Sequence, residues 1–267
     1  MSSSSEPGFS VAPGWPSWPG VQGELYLAER PGGGNTGGRW FVDEAEVMWF
    51  LKLDMHHLGL QTSAEVISAR VLACLGYRVP PTHKIIRGSL HLSVARDVGE
   101  AVDTTRFEDM DSSAVRQLRV ICAYLKDWDR VAPRTSNNLV HADGRITLID
   151  FGGTLGARAL GQHKSGPVSS EAIGCYEATG ELSVLWDGFR VAAESEHPWN
   201  RITPADVEAA VARLATLDDG LIERIVEAAQ YPTARDAALM AEALRVRRDG
   251  LVEGLPRRFA AGGRIAS

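Results

Sequence analysis

The stretch that most constrains this chain is "LKDWDRVAPRTSNNLVHADGRITLIDFGG", residues 125–153. Asp127, Asp129, Asn137, Asn138 and Asp150 crowd acidic and amide oxygens between a helical pattern and a two-stranded one. Asp143-Gly144 is a tight-turn signal, and the spacing predicts a hairpin over 138–150 with Asp150 on its second strand. A hairpin brings its open ends together, so the Asn138 amide and the Asp150 carboxylate can share one cation. Hard oxygen donors of this kind suit magnesium, which keeps water and completes its shell with phosphate oxygens. Asn137 is the alternative amide ligand. Gly152 and Gly153 then let the backbone turn away. Asp129, where the preceding helix ends, is placed to accept or orient the proton of an attacking hydroxyl, with Arg130 to steady that carboxylate or a phosphate. Asp127 is the competing base.

Upstream, "VQGELYLAE", "RWFVDE" and "VMWFLKLD" read as strands, the first two joined by the glycine cluster at 32–34, 37 and 38. Those glycines, Gly34 and Gly37 among them, either bring backbone N–H groups close to phosphate or simply form a flexible turn. "TSAEVISARVLACLG" predicts a helix capped at Thr62 or Ser63 and closed by Gly76. Two strands follow over 81–98, turning at Gly88-Ser89. Lys52 closes a strand after the glycine cluster, and Glu65 stands 13 residues further on, upon the helix. A strand lysine oriented by a helix glutamate is one way to hold nucleotide phosphates.

The second half reads as mainly helical. "DSSAVRQLRVICAYLKD" has a Ser112 or Ser113 cap, and three more helices start at Thr203-Pro204, near Asp218 and after Thr233. Asp206 falls at the capping-box position of the first of these. Residues 1–19 are rich in Ser, Pro and Gly and read as a flexible or extended arm, with Trp15 and Trp18 available to dock onto the body.

A net charge of −6 over 267 residues argues against a dedicated nucleic-acid binder. The basic C-terminal cluster (Arg245, Arg247, Arg248, Arg257, Arg258) reads first as a solvated helix face and tail, and second as a site for an acidic partner. Cys74 and Cys122 sit in apolar helical patterns and, with Cys175, read as free thiols of a reducing cytoplasm. Neither a leader pattern nor a membrane-length apolar run is expected, so nucleic acid and membrane are not expected partners. His56-His57, His141 and His163 form no ligand cluster. Lys164 reads as solvent-exposed, with substrate binding as the alternative, and Ser165, Ser169 and Ser170 are candidate sites of phosphorylation in trans or by the protein itself.

Taken in order, these residues resemble the protein-kinase-like fold, in a spelling similar to its HipA-like and phosphatidylinositol-kinase-like branches. "Asp-Arg" at 129–130 followed by an asparagine, "AEVISARVLACLGYRVPP" and "LIDFGGTLG" carry the likeness. The resemblance implies an α+β, bilobal architecture. Residues 1–19 would be an arm, 20–99 a β-rich N-lobe with one main helix, and 100–267 a larger, mostly helical C-lobe. It also implies ATP and magnesium as cofactors. Lys52 would be the phosphate-binding lysine and Glu65 its partner. Asp129 would be the catalytic aspartate, and Asn138 and Asp150 the metal ligands. Ser93, Val94 and Ala95 would form the hinge against adenine. One departure is plain: Asn138 follows Asp129 by nine residues rather than the family's five, with "APRTS" swelling the loop. The implied activity is phosphoryl transfer from ATP to a hydroxyl, first of a protein Ser or Thr. A small molecule of the aminoglycoside type, or a lipid, is the alternative acceptor. A pseudokinase that kept the fold as a binding or scaffolding module is the alternative of another class.

Overall fold

The computed structural model describes residues 14–32, 37–54, 59–104, 111–127, 130, 137–155 and 201–260. Its first part is an antiparallel sheet of five strands, β1 (Leu25–Leu27), β2 (Arg39–Asp43), β3 (Met48–Leu53), β4 (Thr82–Arg87) and β5 (Leu90–Arg96), in the order β1-β2-β3-β5-β4. The register pairs Trp40 with Phe50, Phe50 with Ala95, and Lys52 with Ser93. Directly opposed residues share a face, and successive residues alternate. Trp40, Phe50, Lys52 and Ala95 therefore line one face, while Trp49, Leu51, Val94 and His83 line the other. The glycine cluster has a packing reason on the first face. A Cβ on Gly38 would lie 2.3 Å from the Phe50 ring, so only glycine lets the chain lie flat on it.

Helix α1 (Leu60–Cys74) begins two residues before the expected cap. Gly59, in the left-handed region at φ 68, occupies the cap position, and no side chain caps it. Instead the buried Asp54 carboxylate accepts the Gln61 N–H at 3.1 Å. Thr62 and Ser63 lie inside the helix, where Thr62 Oγ1 donates to Gly59 O and Ser63 Oγ to Ala229 O. All of α1 is buried, polar residues included. The helix lies between the sheet and the helical part, so it has no solvent face to mark with polar residues.

The helical part is built on α2 (Ser113–Leu125), capped by Ser112 as expected and closed by Lys126 at φ 55. A small sheet, β6 (Asp103–Thr104), β7 (Asn138–Val140) and β8 (Ile146–Leu148), follows in that order. The predicted hairpin is β7–β8, but Asp150 lies two residues beyond β8 rather than on it. Helices α3 (Pro204–Leu214), α4 (Asp219–Ala228) and α5 (Ala234–Ala260) complete the order. α3 starts at a full Thr203/Asp206 capping box with Pro204 in its first turn, and Asp218 caps α4.

One continuous core joins α1 to the helical part and the β7–β8 hairpin. Ile67, Leu72 and Leu75 from α1 and its end belong to the same buried cluster as Leu118, Ile121, Leu148, Leu214, Ile225 and Leu244. Cys74 and Cys122 are buried and free. Among the described residues no helix is long and apolar enough to cross a membrane.

Candidate active site

Three charged groups converge where β3, α1 and the end of the hairpin meet. Lys52 Nζ lies 2.7 Å from Asp150 Oδ1 and 3.3 Å from both Glu65 carboxylate oxygens. The Lys52 and Glu65 side chains are 12% and 5% exposed, whereas Asp150 is 48% exposed. Burial alone would lower the Lys52 pKa, but the two carboxylates more than offset it and hold the lysine above its ordinary value. Lys52 is thus a fixed cation across the physiological range. Burial pushes Glu65 up, partly opposed by Lys52, and repulsion from Asp150 adds to the rise. Asp150 ends below its ordinary value, because Lys52 and Arg130 outweigh its burial. The exposed member of the triad therefore keeps its negative charge.

Local backbone explains why Asp150 reaches in. It has φ 62, a left-handed conformation that aspartate tolerates better than most residues and that recurs at functional sites. Ile149 N is pinned to Asn137 O at 2.9 Å. Two residues on, a Cβ at Gly152 would lie 2.8 Å from Gln61 Cγ and 3.2 Å from Glu65 Oε2. Glycine there lets the chain pass directly against α1 beside the Lys52 partner.

Arg130 is the anchor beneath this site. Its Nε donates to Asp127 Oδ2 at 2.8 Å, its Nη1 to Asn137 O and Asn138 Oδ1 at 2.7 and 3.0 Å, and its Nη2 to Ile149 O at 2.8 Å. The guanidinium also stacks 4.8 Å from the Phe151 ring. The side chains of Arg130 and Asp127 are 0% and 2% exposed. Arg130 thus meets protein oxygens, the Asp127 carboxylate among them, and Asp127, the competing base, does not line the cavity. Asp129, the favoured base, lies outside the described residues, as do Gly34, His56, His57, His163, Lys164, Ser165, Ser169, Ser170 and Cys175.

Asn138 opens β7, buried, with its amide oxygen on the same guanidinium that holds Ile149. Arg130 thereby draws Asn138 and Asp150 to one locality. The exposed Asp150 carboxylate is a donor of the kind magnesium takes, whereas the Asn138 oxygen is buried and already accepts from Arg130. Among the described residues no cluster of three or more His, Cys, Asp or Glu could hold a metal. A cation between Asn138 and Asp150 would have to complete its shell with phosphate or water.

The triad forms the inner end of a cavity of about 420 Å³. Its roof is the Trp40 and Phe50 rings, with centroids 5.0 Å apart, and Leu139 and Ile149 are on the opposite side. At the outer rim Arg30 pairs with Asp97 at 2.8 Å and lies 3.9 Å over Trp40. An apolar slot with a cation at one end accepts a flat ring carrying an anionic tail. Of the three expected hinge residues only Ala95 lines the cavity, followed by residues 96–101. Val94 is fully buried on the other face of β5, and Ser93 lies opposite Lys52 in the register. The cavity wall therefore follows residues 95–101, where the chain leaves the sheet. Gly37 is described, at φ 65, but does not line the cavity. His141 is structural, with Nε2 on Thr147 Oγ1 and Nδ1 on Glu100 O. Sequence reading missed the Trp40–Phe50 roof and the Arg30–Asp97 rim. Strand alternation outward from Lys52 was a signal that could have found Phe50.

This is a bilobal, kinase-like fold: an antiparallel sheet with one buried helix above, a helical part below, and a cavity between them. The chain is similar to the crystal structure of the Helicobacter pylori proinflammatory kinase CtkA, with a TM-score of 0.54 at 10% identity, over 85% of this chain and 95% of that one. At that identity the likeness establishes the fold. No protein-family model matches the sequence, and no curated protein matches it.

Proposed function

We propose that the chain is a magnesium-ATP-dependent kinase that transfers a phosphoryl group to a hydroxyl, of the HipA-like and phosphatidylinositol-kinase-like kind. The observation that carries this reading is Lys52, held by Glu65 and Asp150 at the inner end of an aromatic-roofed cavity. The base would stack beneath Phe50 and Trp40, with the triphosphate directed to the Lys52 ammonium. Asn138 and Asp150 would hold magnesium, which when bound supplies charge neutralisation at the phosphates. Arg130 keeps those two ligands in place. Asp129 would orient the acceptor hydroxyl. Phosphoryl transfer asks the protein mainly for positioning and electrostatics, and a rigid, buried, charge-paired lysine supplies both. That the similar solved structure bears a kinase title supports the same reading. The acceptor we favour is a Ser or Thr of a protein, ahead of a small molecule or a lipid.

The test is a thermal shift with ATP, with and without magnesium, followed by label transfer from γ-labelled ATP. Magnesium-ATP should raise the melting temperature. Lys52→Met and Asp150→Ala should each lower turnover by roughly 10²-fold or more, as loss of a charge-stabilising group does elsewhere. Full turnover in Asp150→Ala would overturn the reading. A nucleotide shift without transfer would favour a binding module instead.

A further inference from the structure

Residues 14–22 touch α1 directly and reach β3 through His83 and Asp43. Gly14 N donates to Cys74 O at the end of α1 at 3.1 Å. Trp15 and Trp18 flank the Arg70 guanidinium of α1 at 4.9 and 4.8 Å, and Arg224 of α4 lies 4.1 Å over the Trp15 ring. Trp18 meets His83 of β4 edge-on at 6.2 Å, and His83 meets Trp49 of β3 at 5.9 Å. His83 Nε2 pairs with Pro19 O at 2.9 Å. Gln22 N then donates to Asp43 Oδ2, the atom that also accepts Trp49 Nε1. This is an unbroken line of contact from the helical part, around α1, across the back of the sheet.

Arg70 is the pivot of that line. It is 8% exposed, and among the described residues its buried Nε finds no hydrogen-bond acceptor and it forms no ion pair. A buried cation is costly unless something compensates its charge, and here two indole faces do. Glu65 and Arg70 are five residues apart on α1, which sets them roughly 140° apart around the axis and about 7.5 Å along it. Glu65 thus faces the cavity while Arg70 faces the Trp15–Trp18 strap. On β3, Lys52 and Trp49 are three residues apart, so they too point to opposite faces.

We propose that Trp15, Trp18 and Arg70 are positioning residues: the strap grips α1 directly, and β3 through His83 and Asp43, and so holds Glu65 in register with Lys52. The pairing is observed directly, but its consequence for turnover rests on the nucleotide reading above. The core and the Ser63 and Lys84 hydrogen bonds still hold α1 without the strap, but a small turn on the loosened side carries Glu65 away from the ammonium.

The full chain supplies the test. Trp15 is 37% exposed, so Trp15→Ala should still fold. Hydrogen exchange of the α1 amides and the rate of Lys52 acylation, followed by mass spectrometry, should both rise about five- to twentyfold in Trp15→Ala. Trp15→Phe should restore most of the wild-type behaviour. Arg224→Gln, which loosens the strap without altering α1, should give a smaller rise of the same sign and decides the matter should Trp15→Ala not fold. ATP turnover should fall in step with Lys52 exposure. Unchanged α1 exchange and Lys52 labelling in a folded Trp15→Ala or in Arg224→Gln overturns the proposal. If wild type shows no turnover while exchange and labelling respond, the strap stands and the kinase reading fails.

Discussion

At Gly152 a single hydrogen atom decides whether the site can assemble. The chain there passes so close to α1 that a methyl group would press on Gln61 and on the Glu65 oxygen that also faces Lys52. Both neighbours are buried, so neither can swing into solvent. Gly152→Ala should destabilise the fold by about 1–3 kcal/mol, the usual cost of overpacking. It should also weaken magnesium-ATP binding, since Glu65 must move. A melting temperature and nucleotide shift equal to wild type would contradict this. The identity of Lys52, Glu65 and Asp150 was legible because each sits at a recognisable place on its element: a strand end, a helix beginning, a point just past a hairpin. Arg130 was legible only as a charge. Its burial against Asp127, Asn137, Asn138 and Ile149 depends on a fold that closes around it.

Among the elements, α3 states its beginning most clearly. Asp206 accepts from Thr203 N, from the Ser113 hydroxyl at 2.5 Å and from Arg116 Nε at 2.8 Å, and is 3% exposed. Burial acts to raise its pKa, but these donors outweigh it and lower the group from 3.8 to about 2. A depressed carboxylate contributes stability that is fully present above the unfolded value and is lost as pH falls through the folded one. The contribution is about 2 kcal/mol at neutral pH. Denaturant melts of wild type and Asp206→Asn should therefore differ by roughly that amount at pH 7. The gap should close between pH 3.8 and about 2. A gap independent of pH would refute the assignment. The α3 and α4 caps were readable because a capping residue acts on its own first turn. The start of α1 was not, because a carboxylate on another element, Asp54, supplies its N-terminal acceptor.

On the scale of the whole molecule, Lys84 ties the sheet to the helical part. Its buried ammonium donates to Gly59 O at 3.2 Å and Ser63 Oγ at 2.8 Å on the α1 side, and to Gln230 O at 3.0 Å just beyond α4. Burial lowers its pKa from 10.5 to about 8, with Asp54 opposing the fall. Lys84→Met removes the donor and leaves carbonyls without it, and should cost about 1–3 kcal/mol at pH 7. For a lysine whose folded pKa is depressed, the unfolded chain holds the extra proton between pH 8 and 10.5. Wild type should therefore gain on Lys84→Met across that interval. A side-chain titration by NMR that places Lys84 at its ordinary value would rule this out.

The sequence by itself determined the order of the described strands and helices other than β6, the α3 and α4 caps, the hairpin turn at Asp143-Gly144, and Lys52, Glu65, Asn138 and Asp150 as candidates. Alternation, capping and turn chemistry act over a few residues and leave a local trace. Only the tertiary structure decided which face of β3 roofs the cavity, which residues beyond β5 line it, why α1 is buried on every side, and that Trp15, Arg70 and Arg224 form one stack. Those outcomes join residues tens to hundreds of positions apart. Burial and charge compensation there depend on what the fold brings alongside, which no short window of sequence contains.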